Sequence, residues 1–272
     1  MNLRFGYFDS DVTLRVNDFT IAPTEGFDHD QVRSLADEDG WIYAPSMRSR
    51  IFGLPLNYQL EGEFDSEEHA KFIICCLSFV YGVKLSTLPR EFLDATNIRL
   101  NQSFGFMFMK TSDIEYTLQR CWEQYRANFD EQNKRICAII HLLFMSRNKF
   151  YLNFENFSQL YMAIDCCYKF VNVKYGVIAS KHAERITRLA EWAGIELPDG
   201  FSGIPDVRNN LFHEGIYVDK LLGYAHFDYN LLFVNNFICK ILFKILEIND
   251  QRYISQARCE TRCAIGINLQ DQ

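Results

Sequence analysis

Arg208-Asn209-Asn210-Leu211-Phe212-His213, running straight into Glu214-Gly215, is the stretch on which the reading of this chain turns. It gathers a permanent cation, two amides and an imidazole ahead of a glycine, the residue that most readily takes the left-handed conformation ending a helix. Pro205 stands where the first turn of a helix tolerates proline. The segment therefore reads as a short helix that begins near Pro205 and finishes at the histidine. On an uninterrupted α-helix, Arg208 and His213 would sit about 140° apart around the axis. They meet only if the arginine wraps round or the helix is ending at His213. Asn209 and His213 are four positions apart and share a face, which places the Asn209 amide to fix the imidazole's orientation and tautomer.

Working outward, the surrounding sequence is helical. Ser112-Asp113, followed by Glu115, opens a long helix towards Met145, with a break expected near Asn128 to Asn133. Ile136, Ile139, Ile140, Leu143 and Phe144 form an apolar stripe at helical spacing. Further helices are expected over Glu155 to Phe170 and Lys181 to Ala193, the latter stopped by Gly194. Pro198-Asp199-Gly200 reads as a turn, and a last long helix is expected from about Tyr224 to Glu247.

The N-terminal part has a different period. Val12, Leu14 and Val16 alternate with Thr13, Arg15 and Asn17, and Leu54, Leu56, Tyr58 and Leu60 alternate with Pro55, Asn57, Gln59 and Glu61. This is the period of two that marks a strand with one buried face. Ala36-Asp37-Glu38-Asp39-Gly40 is a polar turn between them, and Asp65-Ser66-Glu67-Glu68 opens a helix into the apolar Phe72-Ile73-Ile74 region. The fold class read from these patterns is α+β. A β-containing N-terminal region, for which a sensing or regulatory role is expected, is assigned to residues 1–110, and an α-helical bundle to residues 111–272.

Composition bounds the class. The 272 residues are 48% hydrophobic with 24 Phe and 14 Tyr, enough for a sizeable packed core. Met1-Asn2-Leu3-Arg4-Phe5 opens a strand rather than a secretory leader. The apolar run Leu231 to Leu246 is interrupted by Asn235, Asn236, Lys240 and Lys244, which argues against a membrane span. Both readings favour a cytoplasmic location as the expectation, and the nine cysteines, which lack a regular framework, read as reduced core thiols. Cys259 and Cys263, four apart, lack the further ligands that a zinc site needs, so neither a metal nor another cofactor is expected. The net charge of −7 speaks against a general nucleic-acid coat. Its distribution is uneven: residues 1–70 carry 14 acidic against 5 basic residues, and residues 134–188 carry 9 basic against 3 acidic. The second stretch is either a solvated lysine-rich face or a surface that attracts phosphates.

The motif has the parts for cleaving RNA. The ribose 2′-hydroxyl attacks the adjacent phosphorus, so the substrate brings its own nucleophile. The protein must move protons and stabilise charge growing on the phosphoryl oxygens. Arg208 offers a forked donor set suited to phosphate, and His213 supplies an imidazole, the side-chain type that can take up or give a proton in general acid–base catalysis.

The residues Arg208, Asn209 and His213 resemble the R-N-x-x-x-H signature of HEPN domains (higher eukaryotes and prokaryotes nucleotide-binding). These are α-helical bundles, many of them metal-independent endoribonucleases of toxin–antitoxin, CRISPR and anti-phage systems. The resemblance extends loosely over residues 113–250, and the overall layout is similar to the ApeA-like anti-phage branch. It implies Arg208 and His213 as catalytic residues with Asn209 supporting them, RNA as substrate, and a homodimer whose two motifs form one composite site. It also implies abortive-infection or toxin activity governed by an antitoxin or a phage-protein trigger. The rival reading is a non-catalytic HEPN module that binds a nucleotide or a partner protein.

Other candidates rank below the motif. Asn210 within it and Glu214 just after it are assigned supporting or RNA-binding positions. Asp165, within Ala163-Ile164-Asp165-Cys166-Cys167, is a carboxylate on an otherwise apolar helix face, where a partner is usual; it salt-bridges Arg208, lines the cleft or is structural. His182, beside Lys181 and near Arg185 and Arg188, either touches phosphate or marks a solvated helix start. His141 reads as a core histidine, while His226 is only close to the motif in sequence. No Gly-rich phosphate loop, H-E-x-x-H or G-x-S-x-G is present, which removes NTPase, zinc-protease and serine-hydrolase readings.

Overall fold

A computed structural model describes residues 1–34, 36–42, 56–87, 98–99, 104–147, 151–197, 201–217, 229–248, 253–254 and 265–269. The fold is α+β, and it divides into two compact units, Met1–Asn128 with Gly266–Gln272, and Phe129–Ile265.

In the first unit an antiparallel sheet has the order β1-β5-β3-β2, built from β1 (Asn2–Phe5), β2 (Leu14–Val16), β3 (Phe19–Pro23) and β5 (Tyr58–Gly62). The register pairs Leu3 with Leu60 and Ile21 with Leu60, which keeps the alternating apolar set on one face. Leu14, Ile21, Tyr58 and Leu60 are fully buried, as the period of two requires. Leu54 and Pro55 of the expected strand lie outside the described residues. Asn57, which the alternation places on the polar side, is also buried. Its amide accepts from the Phe8 N–H at 2.9 Å and donates to the Phe8 carbonyl at 2.6 Å. The short helix α1 (His29–Arg33) and the strand β4 (Trp41–Ile42) follow, with the Asp37–Gly40 turn between them.

Helix α2 (Glu67–Tyr81) starts as the sequence indicates: the Ser66 side chain accepts from the His69 N–H, and Glu67 and Glu68 sit in the first turn where the helix dipole favours anions. Its end is Gly82 in the left-handed conformation, φ 67°. After β6 (Ile98–Arg99, paired with β4) and β7 (Phe106–Phe108) comes α3 (Thr111–Ala127). This helix changes the boundary. It packs on α2 and β2, with Ile114, Leu118, Cys121 and Trp122 buried, so the division falls after Asn128 rather than at residue 110. The last strand of this unit, β8 (Ile265–Ile267), pairs with β7, and Met109 N–H donates to the Ile267 carbonyl at 3.0 Å.

The second unit is helical. Helix α4 (Asp130–Met145) begins after the expected break, with the Phe129 N–H donating to the Gln132 side chain at 3.3 Å. Ile136, Ile139, Ile140, Leu143 and Phe144 are its buried stripe. Helix α5 (Asn153–Tyr175) packs against α4, against α6 (Glu184–Ala193) and against α8 (Tyr229–Ile245). It outruns the expected stop at Phe170 and ends on Gly176, in the left-handed conformation at φ 68°. Phe157, Leu160, Ile164, Phe170 and Val171 are buried along it, each such side chain contributing about 1.5–3 kcal/mol by leaving water. Helix α6 starts three residues later than expected, at Glu184, whose carboxylate accepts from the Ser180 N–H and hydroxyl. It ends on Gly194 at φ 73°. The expected start of α8 near Tyr224, the Pro198-Asp199-Gly200 turn and the Cys259/Cys263 pair lie outside the described residues. No described helix is long and apolar enough to cross a membrane.

Candidate functional site

The motif occupies a short helical segment of the second unit that is fixed at both ends. A 3₁₀ turn, Phe201–Gly203, leads into α7 (Ile204–Asn209), with Pro205 in its first turn. Phe201 is buried, its ring 4.3 Å from that of Phe233 and 5.3 Å from that of Phe237 on α8. On the other side Tyr217 is buried, its ring 5.6 Å from that of Phe157 on α5. Between these anchors the chain changes helix type. Asn210–Glu214 form a π turn, closed by Gly215 at φ 70° and by the Ile216 N–H donating to the Asn210 carbonyl at 3.2 Å.

The π turn resolves the spacing of the motif. Its i→i+5 repeat brings residues five apart toward a common face, where an α-helix would hold them about 140° apart. The Arg208 Nη1 lies 3.2 Å from the His213 Nε2 and donates to the Asn209 Oδ1 at 3.1 Å. A guanidinium can only donate, so the His213 Nε2 in this contact accepts and carries a lone pair. Asn209 therefore steadies the arginine rather than the imidazole, a departure from the role its i,i+4 spacing suggests. His213, Asn209, Asn210 and Glu214 are exposed and Arg208 is half-buried. Among the described residues Arg208 forms no ion pair with Asp206 or Glu214. The Arg208 guanidinium lies 5.2 Å from the Phe212 ring centroid and 5.9 Å from that of Tyr161 on α5, within cation–π range of both.

Tyr161 joins the motif to a second cluster. Its hydroxyl is 3.0 Å from the His182 Nδ1, and the two rings stack with centroids 5.5 Å apart. The His182 Nε2 is 3.3 Å from the Asp165 Oδ2, and the Arg185 Nη1 donates to the Asp165 Oδ1 at 2.8 Å. Asp165 thus pairs with His182 and Arg185, not with Arg208. The Arg185 guanidinium lies 5.0 Å from the Tyr168 ring centroid. Burial holds the His182 ring below the ordinary histidine value, with Arg185 and Arg208 adding to the effect and Asp165 opposing it. Burial likewise pushes the Tyr161 hydroxyl up to about 12, so it stays a phenol at neutral pH.

Of the residues singled out by sequence, Arg208, Asn209 and His213 come together directly, and Asp165 and His182 join them through Tyr161. Asn210 and Glu214 stand on the same turn but outside this hydrogen-bonded set. His141 is half-buried on α4, and His226 lies outside the described residues. Tyr161 was not among the candidates. Its signal was the i, i+4, i+7 placement of Tyr161, Asp165 and Tyr168, which puts two aromatic rings and a carboxylate on one helix face. Among the described residues no group of three or more His, Cys, Asp or Glu side chains is arranged to hold a metal ion.

Neither a protein-family model, nor a curated protein, nor a solved structure gives a significant match to the chain.

Proposed function

We propose that this chain is a HEPN-like, metal-independent endoribonuclease that cleaves RNA through Arg208 and His213. The carrying observation is the pairing itself: an exposed imidazole whose Nε2 holds a lone pair, 3.2 Å from a guanidinium. The resemblance of Arg208, Asn209 and His213 to the R-N-x-x-x-H signature, within a helical unit, supports the same reading.

The chemistry follows from the contact. A phosphate oxygen is a stronger acceptor for the guanidinium than a neutral imidazole, because both partners are then charged. Substrate binding transfers the Arg208 N–H from His213 to the scissile phosphate and leaves Nε2 facing the ribose. His213 takes the 2′-hydroxyl proton, the 2′-oxygen forms its bond to phosphorus, and the bond from phosphorus to the 5′-oxygen breaks. Arg208 stabilises the added charge on the phosphoryl oxygens. A proton delivered to the 5′-oxygen completes the reaction; the imidazolium formed in the first step supplies it, or in a homodimer a second copy of the ring that carries its proton. The products are a 2′,3′-cyclic phosphate and a 5′-hydroxyl. Asn209 holds the arginine, and the first unit senses or restrains. In this reading the protein is a cytoplasmic effector of the toxin or anti-phage kind, released by a protein trigger.

An unregulated ribonuclease harms its host, which gives the first test. Expression of the wild type should arrest growth while Arg208→Ala and His213→Ala are tolerated; equal effects of all three would overturn the reading. Stable RNA binding by the purified protein with no cleavage would make it a non-catalytic nucleotide-binding module instead.

A further inference from the structure

We infer that Asp165, His182 and Tyr161 form a positioning relay that sets Arg208 for the phosphate, an inference that rests on the nuclease reading of the motif. Each link is a contact within the second unit. Asp165, as a carboxylate ion-paired with Arg185 at 2.8 Å, only accepts. The His182 Nε2 facing it at 3.3 Å must then carry the ring's proton. In the neutral ring the Nδ1 is left as an acceptor, so the Tyr161 hydroxyl, 3.0 Å away, donates to it. The order is hydroxyl to imidazole to carboxylate, every proton assigned. The Tyr161 ring is held on two sides: its hydroxyl is anchored by His182, and the residue is only 2% exposed.

What the relay holds is the ring face near Arg208. The motif sits on a six-residue helix and one π turn, too short to fix a long side chain by itself. Arg208 is 5.9 Å from the Tyr161 ring, and a phenol that donates its proton into an imidazole–carboxylate pair presents a more electron-rich face to a cation. The relay therefore determines where the guanidinium waits before the phosphate arrives. None of its members touches the reacting atoms; they act through Arg208. Burial of the His182 ring, which keeps it neutral near pH 7, preserves the acceptor at Nδ1.

The test uses the full chain and a short single-stranded RNA. Tyr161→Phe removes the hydroxyl and keeps the ring, while His182→Ala removes the middle link. Each should lower kcat by about 10- to 100-fold, the scale of a misplaced catalytic group. The double variant should be no worse than the poorer single one, since both cut the same chain. Losses that multiply in the double variant, or that simply track a fall in Tm, would overturn the relay. If wild type and His213→Ala treat RNA alike, it is the nuclease reading that has failed, and the His182 ring then decides the relay alone. Its ¹⁵N spectrum should show the proton on Nε2 and an Nδ1 signal that shifts in Tyr161→Phe. A proton on Nδ1, or a signal indifferent to the substitution, would overturn it.

Discussion

Arg208 and His213 are joined by a hydrogen bond in which the guanidinium donates and the imidazole accepts, across an Nη1 to Nε2 distance of 3.2 Å. The arginine has nothing to accept with, so in this contact the imidazole nitrogen is the acceptor. The contact also depends on a change of helix type between the two residues, since α-helical geometry would turn them away from each other.

The closure of that π turn gives a prediction. Gly215 sits at φ 70°, and a Cβ added there would meet nothing within 4 Å, so Gly215→Ala carries the backbone penalty alone, about 1–2 kcal/mol. Gly194 at the end of α6 has φ 73° and the same open surroundings. Both alanine variants should lose similar stability in denaturant unfolding. Only Gly215→Ala should also lower RNA cleavage, because only it disturbs the register of Arg208 against His213.

The first unit has its own titrating group. His69 is fully buried, its ring stacked 4.1 Å from Trp122 and 3.9 Å from Tyr125 (centroid distances). Burial lowers its proton affinity below the ordinary 6.5, although the exposed Asp65 carboxylate, 3.5 Å away, pulls the other way. With the folded-state value depressed, no stability is lost above pH 6.5. Below it the unfolded ring takes a proton that the buried ring resists, so stability falls as pH drops, until the folded ring titrates as well. Thermal unfolding at pH 7 and pH 5 should show this loss. His69→Phe, which keeps a flat ring in the stack, should reduce the difference between the two pH values; an undiminished difference would assign the effect to other groups.

Asn57 offers a stability test free of titration. Its side chain satisfies both the N–H and the carbonyl of Phe8 in a buried setting. Asn57→Leu leaves two backbone groups without partners, at about 1–3 kcal/mol each. Denaturant unfolding should register a loss of that order in the first unit. A variant as stable as the wild type would show that water replaces the amide.

What could be read in the sequence was local. Ser66 before two glutamates, Gly194 after an apolar stripe and the alternation around Tyr58 and Leu60 each specify their element through residues a few positions apart, and the α+β class followed from them. Gly176 was an equally local signal, and it moves the end of α5 five residues beyond Phe170. The rest required tertiary packing. α3 has an ordinary amphipathic pattern, and only its apolar face against α2 and β2 reveals that it belongs with the sheet. His182 and Arg185 lie 17 and 20 positions beyond Asp165 and become its partners only when α6 packs on α5. The motif lay between these cases: its residue types were plain, but α-helical geometry misassigned the contact of Asn209, because nothing in the six residues announces a π turn.

Cleavage through Arg208 and His213 is decided by incubating the purified full chain with a defined single-stranded RNA in excess EDTA and identifying the ends of the products. The wild type should cleave and leave 2′,3′-cyclic phosphate and 5′-hydroxyl ends. His213→Ala should be slower by about 10²–10⁴-fold, the contribution of one positioned acid–base group, with an unchanged unfolding transition because its ring is exposed. Cleavage abolished by EDTA, or equal cleavage by wild type and His213→Ala, would contradict cleavage through this pair.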